Sequence, residues 1–90
     1  MKIYELIPND GRKSFYGKAH VIVKDNGTET LRSYETDVLY RSSTGELFRT
    51  WNDWSATTGR HIKAYCGLNK AGYMALPFMD LYTGEILVSA

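Results

Sequence analysis

Between residues 51 and 62, in the run WNDWSATTGRHI, the hydrophobic pattern of this chain changes period. Before that run, apolar side chains recur at every second position, the spacing of a strand with one buried face. After it they recur three and four apart, the spacing of a helical stripe. Ninety residues make one domain. The pattern therefore predicts an α+β fold: a curved antiparallel β-meander of four to six strands, with one main helix at about 55–66 packed on one face. The other face is expected to stand partly open or to be buried in a homodimer.

Turn chemistry divides the meander. Residues 2–7 alternate and stop at Pro8, and a polar loop at 9–13 leads into the clearest strand, 14–24. There Phe15, Ala19, Val21 and Val23 share one face, while Tyr16, Lys18, His20 and Ile22 share the other. Asn26 and Gly27 are a strong hairpin signal, because this pair readily takes the positive φ angles of a tight turn. Strands follow at 28–34, 36–42 and 47–51, with a turn at Ser43, Thr44, Gly45 and Glu46 before the last. Ser55, with Asp53 as the alternative, is placed to cap a helix over Ala56–Cys66, and Gly67 to end it. Ile62, Tyr65 and Cys66, continued by Thr58 and Gly59, make the expected inner stripe. Arg60, Lys63 and His61 are expected to look outward or along its edge. Asn69 begins a second short helix that Pro77 terminates, and Ile86, Leu87 and Val88 suit a last strand.

Charge narrows the function classes. The chain carries 11 Lys and Arg against 10 Asp and Glu. That balance excludes a strongly basic DNA-coating protein and a strongly acidic DNA mimic. One cysteine, Cys66, cannot form an internal disulfide and suits a reducing compartment. No apolar run approaches the roughly 20 residues of a membrane span, and no secretory leader pattern is present. The expected location is the cytoplasm, with no membrane partner.

His20, His61 and Cys66 lack the short, recurrent spacings of a structural zinc site, so no metal or cofactor is expected. Ser55, Thr57 and Thr58 lie close to His61, and Asp53 is placed to orient it, so a nucleophile and base can be written down. Hydroxyls at a helix start are, however, the usual caps for its free N–H groups, and no oxyanion device accompanies them. Residues 11–14 resemble the end of a phosphate loop, but the earlier glycine and the following helix are missing. Catalysis is not expected.

Two binding readings survive. Trp51, Trp54, Tyr40 and Phe48 form a candidate aromatic patch with Arg60 near its edge, and Trp, Tyr and Arg are the residues that most often dominate interface energy. One tryptophan is expected in the core, leaving Trp54 at the surface. The alternative is a single-stranded nucleic-acid binder, which stacks bases on sheet aromatics between basic side chains. Tyr16, Lys18, Arg32 and Tyr34 are the residues for that role.

Residues 2–8 (KIYELIP), 11–19 (GRKSFYGKA), 33–36 (SYET), 45–51 (GELFRTW) and 54–62 (WSATTGRHI) together resemble a small uncharacterised domain family found in phages, plasmids and gut-associated Firmicutes. The resemblance covers about residues 1–66 and is most specific in the SATT and RHI portions. After Tyr65 the chain departs from that pattern, which continues as a longer helix and a lysine- and tryptophan-containing segment. The family has no assigned activity, so the resemblance implies only a mobile-element setting. It suggests a non-catalytic binding protein, in the concrete case an inhibitor of host defence of the anti-CRISPR type. Its expected partner is a host protein or ribonucleoprotein complex, met by Arg12, Lys13, Tyr16, Trp54, Arg60 and His61.

Overall fold

The computed structural model describes residues 1–8, 15 and 17–87. Five short strands form the meander: β1 (Lys2–Glu5), β2 (Ala19–Val23), β3 (Glu29–Ser33), β4 (Thr36–Arg41) and β5 (Leu47–Arg49). Two helices follow, α1 (Ala56–Cys66) and α2 (Lys70–Met74), and then β6 (Phe78–Met79) and β7 (Ile86–Leu87). The seven strands among the described residues join one sheet in sequential order. Every neighbouring pair is antiparallel except β5 and β6. Parallel neighbours need a long crossover, and the helices supply it. The sheet thus exceeds the expected four to six strands, and segment 81–87 extends it through β7.

Asn26 and Gly27 turn the chain between β2 and β3, with Gly27 at φ 87°. The β3–β4 link has two residues, Tyr34 and Glu35, between the paired Ser33 and Thr36. Within that hairpin the register slips by one after Leu31. Such a bulge lets consecutive residues of one strand break the in–out alternation. Val38 and Leu39 are accordingly both fully buried.

The alternation of β2 holds as the sequence suggests. Ala19 and Val21 enter the core with Leu31, Leu39, Ile62 and Tyr73. On the opposite face the ladders align Ile3, Ile22, Thr30, Tyr40 and Phe48 in one row across five strands. Tyr40 and Phe48 touch there, with ring centroids 6.1 Å apart. The aromatic patch expected of Trp51, Trp54, Tyr40 and Phe48 therefore does not assemble. Both tryptophans are half-buried and pack against the core, whereas Tyr40 and Phe48 belong to the row on the opposite face.

Local chemistry sets the helix ends. The Ser55 side chain accepts from the Thr58 amide at 3.1 Å, and Gly67 ends α1 in the left-handed region with its amide on the Lys63 carbonyl. Asn69 caps α2 by accepting from the Gly72 amide. At Gly59 the helix approaches Trp54 so closely that a Cβ would collide with the indole ring. Glycine is the residue that lets the indole lie on the helix there, and Trp54 also packs on Tyr73 at 5.6 Å.

Candidate functional site

The described residues bring the chemistry-bearing side chains together at one end of the sheet, where the Tyr34–Glu35 hairpin meets the first turns of α1. Beneath the hairpin lies a closed polar cluster. Ser33 Oγ is 2.8 Å from Thr58 Oγ1 and 2.8 Å from His61 Nδ1. All three residues are buried, His61 to 1 % exposure. Phe15 meets the imidazole edge-on at 4.5 Å. Burial, reinforced by the charge of Arg60, pushes the His61 pKa below its usual value and favours the neutral ring.

This placement corrects the sequence reading of His61. A position facing outward or along the edge of the helical stripe was expected, yet the ring turns inward. The reason is a partner the helix pattern does not contain: Ser33, on β3, offers the hydrogen bond that makes a buried imidazole tolerable. Cys66, expected to be buried, is half-exposed, and its thiol donates to the Ile62 carbonyl at 3.3 Å. Burial nonetheless pushes that thiol's pKa up.

Above the cluster the side chains form a ladder. The Arg60 guanidinium lies 5.8 Å from the Phe15 ring, Phe15 abuts His61, Tyr34 abuts His61 at 5.8 Å, and Lys18 Nζ stands 6.0 Å from the Tyr34 centroid. Tyr34 is 49 % exposed at the hairpin tip. It is also the non-glycine residue with positive φ, 56°, among those described. A bulky side chain in that region is strained, and such residues persist where the surroundings over-determine them, often at functional sites.

A groove of about 460 Å³ opens on the other side of the hairpin. Glu35, Asp37, Phe78, Asp80, Leu81 and Tyr82 line it. Tyr82 is fully exposed at the tip of a turn that Asp80 organises by accepting from the Tyr82 amide at 2.8 Å. The sequence reading missed this groove. The nearest signal was the Thr83–Gly84 turn motif beside Tyr82, but its distance from Glu35 and Asp37 in the chain hid the encounter.

The expected site residues divide accordingly. Arg12, Lys13 and Tyr16 lie outside the described residues. Trp54 and Arg60 are half-buried, engaged by Gly59 and Phe15 respectively, and His61 is sealed. Of the nucleic-acid set, Lys18 and Tyr34 adjoin, whereas Arg32 projects from the open face and pairs with Asp37 at 2.8 Å.

Among the described residues no group of three His, Cys, Asp or Glu is arranged to hold a metal ion. No helix among them is long and apolar enough to cross a membrane. No curated protein and no solved structure matches the chain. Residues 1–77 match the family described as "Family of unknown function (DUF8033)", and the chain belongs to that family.

Proposed function

We propose that this chain is a non-catalytic binding protein that engages a protein partner through the hairpin end of its sheet. One observation carries the reading: the fully exposed Tyr82 lines a groove whose walls include Glu35, Asp37 and Asp80, and the exposed Tyr34 adjoins that groove in the hairpin, next to Glu35. Exposed tyrosines supply large contact area with little side-chain entropy to lose. Asp37 is paired with Arg32, and the other carboxylates, of Glu35 and Asp80, repel a phosphate backbone and favour basic or amide groups of a protein. Of the hydroxyls near His61 in the chain, Thr58 is buried with the imidazole, Ser55 caps α1 and Thr57 is exposed, an arrangement that supports binding over bond-making.

The setting implied by the sequence resemblance gives this reading its concrete form, an inhibitor of host defence of the anti-CRISPR type acting on a host protein or ribonucleoprotein complex. The runner-up, single-strand binding, draws on Lys18 and Tyr34 but is weakened by the Arg32–Asp37 ion pair.

Affinity capture from host lysate, with and without nuclease, tests the proposal. Wild type is compared with Tyr34→Gly and Tyr82→Ala, the glycine chosen because it suits the positive φ at that position. A protein partner that survives nuclease and is lost with both substitutions is the expected result. Direct binding of bare oligonucleotides, falling steeply with salt, would replace this reading with the nucleic-acid one.

A further inference from the structure

The outer side of β1 is an unpaired sheet edge among the described residues. Its geometry is fixed by one contact: the Leu6 amide donates to the Ala19 carbonyl at 2.9 Å. Antiparallel ladders alternate between residues bonded to the neighbour and residues bonded away from it. Leu6 therefore places Tyr4 and Lys2 toward β2, and Ile3 and Glu5 with their N–H and C=O groups pointing outward. The strand has no proline, and its register with β2 runs without a bulge. Edges that stay single are commonly blunted by such devices. Although it is short and carries Lys2, this strand exposes apolar side chains, with Ile3 at 55 % and Tyr4 at 41 %.

We propose that the occupant of this edge is a second copy of the chain, its β1 paired antiparallel with the first about a two-fold axis at Ile3. Three observations select that arrangement. Ile3 of each copy presents both outward backbone groups, so the central pair makes two reciprocal hydrogen bonds. Ile3 also ends the row Ile3, Ile22, Thr30, Tyr40 and Phe48, so the pairing continues one apolar row across both sheets. Finally, the other outward-facing residue of β1 is Glu5, and a two-fold axis there would set like charges opposite.

The experiment is sedimentation equilibrium of the full chain over a range of concentrations, with Ile3→Pro as the variant. Proline at that position removes an outward N–H and no bond within the subunit's own sheet, which is where strands accept it. Wild type is expected at twice the monomer mass, and the variant at the monomer mass with its circular dichroism unchanged. Ile3→Cys in a Cys66→Ser background supplies a second readout that does not depend on the proline variant folding. Opposed hydrogen-bonded residues stand about 5.5 Å apart, within disulfide reach. Mild oxidation should cross-link Ile3→Cys to completion and leave Glu5→Cys, in the same background, without an intermolecular disulfide. A wild type that is monomeric throughout, an Ile3→Pro variant that folds and remains a dimer, or mass that grows beyond two copies through a β1-to-β7 contact would each overturn the proposal.

Discussion

The two ends of α1 are fastened to the sheet by different chemistry. Near its start, Thr58 and His61 share the hydroxyl of Ser33 in a neutral cluster closed to water. Near its end, the half-buried Tyr65 hydroxyl donates to Glu29 Oε1 at 2.8 Å, and the Arg41 guanidinium lies 5.0 Å from the Tyr65 ring. The first fastening excludes water and leaves stranded polar groups when broken. The second is partly open, so water replaces what a substitution removes. Burial, more than the number of bonds, decides how much each end contributes.

The largest effect that sharpens this comparison is His61→Ala. It opens a cavity under Phe15 and Tyr34 and strands the hydroxyls of Ser33 and Thr58, a loss of about 3 kcal/mol. Chemical denaturation measures it, and a loss under about 1 kcal/mol would mean that the cluster holds little of the fold. Gly59→Ala should follow at about 2 kcal/mol, because the new methyl collides with the Trp54 ring. Trp54 fluorescence should shift with it; unchanged stability and emission would show that the indole moves aside freely.

The two ends also separate by pH. The unfolded chain takes up a proton at His61 that the folded chain resists. The contribution of that residue is full above its ordinary pKa of 6.5 and is lost as the pH falls below it through the folded value. At the other end, burial and then the hydrogen bond to Glu29 raise the Tyr65 phenol above its ordinary 10.0. Its contribution is full below pH 10 and is lost as the pH rises from there. Melting temperatures of wild type, His61→Gln and Tyr65→Phe across both limbs check the assignment. The acid limb should flatten only in the histidine variant. Tyr73, also raised by burial, keeps part of the alkaline limb in the other. Smallest of all is Tyr65→Phe at neutral pH, a loss of at most about 1 kcal/mol, since Glu29 regains water. A drop as large as that of His61→Ala would erase the distinction between the two ends.

Much of this fold is legible in local sequence. Alternation marks β2 and places Ala19 and Val21 inward, Asn26 and Gly27 mark a hairpin, and Ser55, Gly67 and Asn69 mark helix boundaries. These signals act within a few residues, through pleat, turn geometry and capping. Strand 14–24 shows the limit: of it, β2 keeps Ala19–Val23. The candidate site was less readable. The exposure expected of Trp54, Arg60 and His61 is not found, since the first two are half-buried and the third is sealed, and for His61 the reason is that a helical stripe carries no information about a hydroxyl on a distant strand.

The sequence alone determined where strands give way to helix and which faces are apolar, because periodicity and caps are properties of neighbouring residues. Tertiary structure decided that His61 turns inward to Ser33, that β6 lies parallel to β5, and that Glu35 and Asp37 share a groove with Tyr82. Each of those outcomes joins residues far apart in the chain. Whether a polar group is buried or an edge is left open depends on what the rest of the fold brings to it.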